Sequence, residues 1–134
     1  PSAGDVAQAS AMAQDLLRVR YSSRLFRLGS AAAINAKVSF PVSGTADAQP
    51  GVIVMRIDDT VGADLDPSLA GALIVFNASP TAVSQKVPGL SGVSLSLSPV
   101  QAGGADPVVK TATWTASTGT AGVPGRTVAV FLQK

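Results

Sequence analysis

The hydrophobic period of this chain changes once, at Lys37, and that change limits the fold more than any composition figure does. Up to residue 36 the apolar residues recur at helical spacing; from Lys37 onward they alternate or run together as strands do. A short helical front on a long β remainder predicts a mainly β fold. We expect an antiparallel β-sandwich of about six to eight strands with an N-terminal helical segment, divided as 1–36 and 37–134.

In the front segment, Asp5 stands as a candidate cap with Gln8 three residues on, the capping-box spacing. Val6, Ala9, Met12, Ala13, Leu16, Leu17 and Val19 then fall within one arc of a helix turning about 100° per residue. Ser10, Gln14 and Arg18 lie opposite. Arg20 falls inside the apolar arc, either to bond terminal carbonyls or to serve a packed surface lying outside this chain. Ser22-Ser23 interrupts the helix, and Ser23 can cap a second turn through Arg24, Leu25, Phe26, Arg27 and Leu28. Gly29 serves as its stop and Ser30 as the cap of a brief helix from Ala31 to Ala36.

Beyond Lys37, Val38, Phe40 and Val42 alternate with polar or small residues, with Pro41 suggesting an edge position. Gln49-Pro50-Gly51 reads as a turn. The runs Val52 to Ile57 and Ala72 to Ala78 read as buried strands. Shorter candidates are Ala82 to Val87, Val93 to Leu97, Lys110 to Ala116 and Arg126 to Gln133, separated by clusters of Gly, Pro and Ser. No internal repeat is visible.

Missing residue types exclude more functions than the present ones suggest. The chain has no His, no Cys and no Glu, and all eight acids are Asp. A Ser-His-Asp or Cys-His arrangement is impossible within it, as are histidine-based metal sites and disulfides. Asp58 and Asp59 could only with difficulty form a glycosidase pair, because neighbours on a strand point to opposite faces. The net charge is +2, and beyond residue 27 the cations are scattered singly, so nucleic-acid binding is not expected. No apolar run approaches the ~20 residues that span a bilayer, so no membrane partner is expected either. The start, Pro1-Ser2-Ala3-Gly4, lacks an initiator Met and the regions of a signal peptide. It reads as a processed or excised boundary, with any targeting segment lost from this chain.

Two groups of residues invite a binding role. Asp58, Asp59, Asp64 and Asp66 could offer oxygens to calcium, although their spacing departs from the 12-residue loop pattern and its closing Glu. A solvated loop with Asp66-Pro67 opening a turn accounts for them as well. Trp114 and Tyr21 could offer flat faces to a sugar, but Trp114 stands alone between threonines, and packing explains both. Asn77-Ala78-Ser79 matches a glycosylation sequon, yet it ends an apolar strand and precedes Pro80, which favours a turn-forming Asn.

Taken in order, a set of motifs resembles the C-terminal region of the pullulanase and limit-dextrinase type of starch-debranching enzymes, within the α-amylase superfamily. The resemblance begins at Asp15-Leu16-Leu17-Arg18-Val19-Arg20-Tyr21-Ser22-Ser23 and Leu25-Phe26-Arg27-Leu28. It runs through Val38-Ser39-Phe40-Pro41, Pro50-Gly51-Val52-Ile53-Val54-Met55 with Ile57-Asp58-Asp59, and Leu73-Ile74-Val75-Phe76-Asn77-Ala78. It closes with Ser98-Pro99-Val100-Gln101, Ala105-Asp106-Pro107-Val108-Val109-Lys110 and Arg126-Thr127-Val128-Ala129-Val130-Phe131. Arg24 departs from the Pro expected at that helix's first turn, a position where Arg is tolerated.

The resemblance implies that residues 1–36 resemble the closing helix of a catalytic (β/α)₈ barrel and that 37–134 form a C-terminal β-sandwich packed against it. It further implies a parent enzyme that hydrolyses α-1,6 linkages of pullulan and starch dextrins with retention, secreted or held in the envelope of a bacterium. The catalytic acids of that family lie upstream of residue 1, so no catalytic residue carries over. Leu16, Leu17, Arg20, Tyr21, Leu25 and Phe26 are then expected to pack between domains, and an isolated chain to cover its apolar face by self-association. Two other readings stand beside this one: a starch-binding module using Trp114 and Tyr21 on an α-glucan, and an immunoglobulin-like structural domain.

Overall fold

The computed structural model describes residues 1–134. Its elements are α1 (Ala3–Ser22), a 3₁₀ turn (Arg24–Arg27), α2 (Ala31–Lys37), β1 (Val38–Ser39), β2 (Val52–Asp58), β3 (Gly71–Asn77), β4 (Val83–Lys86), β5 (Ser96–Leu97), α3 (Pro99–Ala102), a second 3₁₀ turn (Val109–Thr111), β6 (Thr113–Thr115), β7 (Thr120–Val123) and β8 (Thr127–Gln133). All strand pairs are antiparallel. They form a five-stranded sheet ordered β1-β2-β3-β8-β5 and a three-stranded sheet ordered β4-β7-β6.

The helical front follows the sequence closely, with one correction. Ser2, not Asp5, caps α1. Its Oγ accepts from the Asp5 amide at 3.2 Å, and the Asp5 carboxylate accepts from the Ser2 amide at 2.7 Å, so Asp5 is the far half of the capping box. Gln8 instead reaches across the fold and donates to the Ala105 carbonyl. Ser23 breaks the helix with extended backbone, and its Oγ accepts from the Leu25 amide at 3.1 Å. Ser30 caps α2 in the same manner through Ala33.

β2 and β3 are as long as their patterns suggest or longer, but the other expected strands are shorter. β1 ends at Ser39 because Pro41 cannot donate to a ladder and Phe40 to Thr45 fold into successive turns, which drop Val42 into the core. The expected strand from Val93 survives only as Ser96–Leu97, and the one from Lys110 as Thr113–Thr115. β7 was not expected: Thr-Ala-Gly-Val lies between Gly119 and Pro124 and reads as loop composition. At the start of β2, Pro50 and Gly51 make a turn closed by the Val52 amide on the Gln49 carbonyl. Gly51 sits at φ 76°, which a side chain would resist.

Between the sheets lies an aliphatic core containing Val54, Leu73, Val75, Val123, Ala129 and Phe131. The opposite face of the five-stranded sheet carries a second, smaller core in which Val19 and Leu25 meet Ile57, Ala72, Ile74 and Val130. The molecule is therefore three layers: helices, large sheet, small sheet. Alternation along β2, β3 and β8 produces this, since each strand is apolar on both faces and supplies both cores.

Side chains close the gaps that the short strands leave. Gln101, buried in α3, places its Nε2 on the Val128 carbonyl at 2.7 Å and its Oε1 on the Val130 amide at 2.8 Å. It thus substitutes for a strand where β5 has stopped short. Asn77, 2% exposed, donates to the carbonyls of Thr81, Val123 and Pro124 and accepts from the amide and hydroxyl of Ser79. That is the turn-forming role expected of it. Asn77→Ala strips partners from several groups at once, and we expect a loss of about 1–3 kcal/mol in denaturant unfolding, the cost of a buried group left unpaired.

Candidate functional site

Three cross-strand rows define the helix-facing side of the large sheet. In register they are Ile57–Ala72–Leu132, Met55–Ile74–Val130 and Ile53–Phe76–Val128. Leu25, 1% exposed, and Val19 cover the first two rows. The third has no roof: Ile53 is 55% exposed and Phe76 also faces solvent.

The helix above is turned away from this sheet. Asp15 and Val19 are buried, with Ala11 and Met12 half-buried, so α1 lies on the molecule by one narrow stripe. Its apolar arc is centred roughly 110° further round, counting 100° per residue. Leu16 is exposed, Leu17 is 57% exposed and Val6 and Tyr21 are exposed as well. Val19 anchors the stripe by apolar packing and Asp15 by a hydrogen bond: its carboxylate accepts from the Ala105 amide at 2.6 Å and, within the helix, from Arg18 at 2.7 Å.

Between helix and sheet runs an open groove of about 580 Å³, floored by Met55, Ile57, Ile74 and Val130 and walled by Leu16, Phe26, Leu28, Ile34 and Phe40. Its only polar lining comes from Arg20 and Arg27. No carboxylate, hydroxyl or amide lines it. A concavity without an acid–base pair or a nucleophile can bind an apolar surface but has no group with which to move a proton.

Arg20 and Arg27 bring two cations to the groove, and Arg24 is exposed on the same 3₁₀ turn as Arg27. The Arg27 guanidinium lies 4.9 Å from the centre of the Tyr21 ring, and Arg20 reaches the Phe26 carbonyl at 3.4 Å. Arg18 is paired with Asp15, whereas Arg20, Arg24 and Arg27 are exposed and have no acidic partner in this chain.

Of the six residues expected at a domain interface, the structure gathers Leu16, Arg20, Leu25 and Phe26 around the groove, with Tyr21 and Leu17 exposed on the same helix. Leu25 is a correction: its side chain is fully spent on this chain's own core and has no surface to offer. Ile53, Phe76, Ile34 and Phe40 were missed. For Ile53 and Phe76 the signal was the unbroken apolar run, which implied two apolar faces on one strand without saying which would remain bare. Ile34 and Phe40, on α2 and just past β1, carried no such signal.

Trp114 and Tyr21 do not share a surface. Trp114 lies on β6, half-buried against the core between the sheets, with its Nε1 donating to the Val93 carbonyl at 2.8 Å and its ring 6.2 Å from Phe131. Tyr21 lies beyond the other face of the large sheet. Packing accounts for the tryptophan.

Three of the four candidate calcium ligands are engaged otherwise. Asp59 accepts from Lys37 at 2.8 Å and from the amides of Leu65 and Asp66. Burial would raise its carboxyl, but those hydrogen bonds and the lysine charge outweigh it and hold the group below the usual carboxylate range. Asp66 is held low by the Ser23 hydroxyl first and by Ser68 next, against the effect of burial. In Asp58 burial is outweighed by Thr60 and by the nearby Arg56 and Lys37 charges. Asp64 is exposed. Nowhere do three acidic side chains approach closely enough to share a metal ion, and no helix is long and apolar enough to cross a membrane.

Comparison with known proteins places these observations in context. The family model described as alpha-1,6-glucosidases, pullulanase-type, C-terminal matches residues 1–134. The chloroplastic pullulanase 1 of Arabidopsis thaliana is 40% identical over 124 residues, and the pullulanase of Klebsiella pneumoniae 34% identical over 133. These stretches cover 89% and 98% of this chain but only 13% and 12% of the relatives. The crystal structure of PulA from Klebsiella oxytoca superposes with a TM-score of 0.86 at 34% identity, over 99% of this chain and 12% of that one.

Proposed function

Because this chain belongs to the pullulanase-type family of α-1,6-glucosidase C-terminal domains, we propose that it acts as a non-catalytic brace within a larger debranching glycosidase. In this reading the whole polypeptide hydrolyses α-1,6 glucosidic linkages on a (β/α)₈ barrel. This chain contributes no reacting group. Its task is to lay the apolar arc of α1, the groove and the bare third row against that barrel.

The observation that carries the proposal is the mismatch between where α1 is apolar and where it is covered. An exposed Leu16, Leu17, Ile53 and Phe76 on one side of a small domain is what an interface leaves behind when its other half is out of view. The small share of each relative that the chain covers, about an eighth, supports a partner within the same polypeptide.

The test uses the intact polypeptide. Leu16→Ala and Leu17→Ala should each weaken docking by about 1.5–3 kcal/mol, the worth of burying such a side chain. Thermal inactivation of the α-1,6-glucosidase activity should shift to lower temperature, and protease should cut sooner between residues 1 and 36. The kcat of enzyme that remains folded should not change. Inactivation and cleavage indistinguishable from the unsubstituted protein would refute the docking role.

A further inference from the structure

We propose that Arg20, Arg24 and Arg27 form the polar half of that interface and that the barrel meets them with carboxylates. The inference rests on the docking role proposed above and adds the chemistry of the surface on the other side.

Four of the chain's six arginines fall between residues 18 and 27. One is neutralised by Asp15; the other three are exposed, with no carboxylate of this chain in ion-pair range. Together they account for more than the whole net charge of +2. Like charges this close repel one another, and a fold that concentrates them without a counter-ion gains nothing from the arrangement by itself.

Their surroundings distinguish them from a solvated charge run. Arg20 and Arg27 line an otherwise apolar groove, and the Arg27 guanidinium lies over the Tyr21 ring. Guanidinium is weakly hydrated, stacks on aromatic rings and offers a planar fork that matches a carboxylate, which suits it to a surface that is about to be dehydrated. Anionic lipid would also attract the charges, but a rigid groove between helix and sheet has no counterpart on a bilayer. An apolar surface studded with Asp or Glu fits both features. The family match, with most of each relative lying outside the region matched, puts that surface on the same polypeptide.

The experiment is performed on the intact enzyme carrying Arg24→Lys and Arg27→Lys, which keep the charge and introduce primary amines. Carbodiimide activation should couple these lysines to Asp or Glu side chains outside residues 1–134, identified by mass spectrometry of the joined peptides. In parallel, Arg20→Gln, Arg24→Gln and Arg27→Gln combined should accelerate amide exchange in residues 16–28 about tenfold or more at low salt, while β3 amides are unaffected. Added salt should narrow the difference between this variant and the parent. Coupling only to this chain's own aspartates, or no coupling with exchange unchanged, would overturn the inference. Salt-sensitive binding to anionic vesicles, lost in the glutamine variant without any coupling, would also overturn it. If residues 16–28 exchange freely in the unsubstituted enzyme, the docking role itself is at fault. If they are protected and the Leu16→Ala variant loses that protection while the arginine variants do not, only the carboxylate inference fails.

Discussion

Lys37→Ala or Asp59→Ala is expected to cost about 3–5 kcal/mol of stability, the range for removing one member of a buried ion pair. The two side chains are 3% and 1% exposed and meet at 2.8 Å. Lys37 also donates to the Val61 carbonyl at 2.5 Å, and Asp59 gathers the amides of Leu65 and Asp66. The pair therefore ties the end of α2 to the loop joining β2 and β3. Removing either side chain strands a charge and several backbone groups away from water. Lys37→Met combined with Asp59→Asn should recover part of the loss, since no uncompensated charge remains and the carboxamide oxygen can still accept an amide. Urea unfolding midpoints compared across the three variants check this, and equal losses in all three would contradict it.

The same pair sets a pH dependence with a definite sign. The folded carboxyl of Asp59 titrates below its unfolded value, so the unfolded chain binds the proton more readily. Its contribution is then fully present above the ordinary carboxylate pKa of about 4 and is lost as pH falls through the depressed folded value. Asp66 acts in the same direction. Acid unfolding below about pH 4 should be shallower in Asp59→Asn than in the parent.

Leu25→Ala and Phe131→Ala should separate two layers of the fold. Each empties a fully buried site, and the losses expected are about 2–5 and 3–5 kcal/mol. Phe131 lies in the core between the sheets, so its loss should lower protection of amides everywhere. Leu25 joins the helical layer to the sheet's other face, so its loss should release α1 and the 3₁₀ turn first while β3 and β8 remain protected. Hydrogen exchange distinguishes the patterns. A local release would favour 1–36 and 37–134 as separable units, and equal loss across the chain would make them one.

Local chemistry made most of the helical front readable. Ser23 and Ser30 punctuate it where the sequence says they should, because caps act within a few residues and need no tertiary partner. The expected stop at Gly29 is not used, since Leu28 ends the turn and Gly29 keeps an ordinary backbone conformation. β2, β3 and β8 were readable for the same reason: runs of β-branched and aromatic residues leave little alternative. β7 was not, since Ala121 and Gly122 acquire strand geometry only from β4 and β6 on either side. Nor did the pattern reveal that Lys37 would be buried. A lysine at a helix end reads as a solvated charge until the loop that folds back supplies Asp59. The helical phase located the apolar arc, but only the fold could tell that the arc and the contact stripe are different sides of one helix.

The pairing of β3 with β8 carries a consequence for how the chain is made. β2 finds β3 across one loop, but β3 must wait for a partner whose register joins Gly71 to Gln133. Everything in the small sheet is synthesised in between. Such non-local closure is slow, and an unsatisfied central edge exposes paired-strand chemistry to neighbouring chains meanwhile. The large sheet therefore stays open on the ribosome until residues 127–133 have emerged. Folding of this region is in that sense timed by the completion of its last strand.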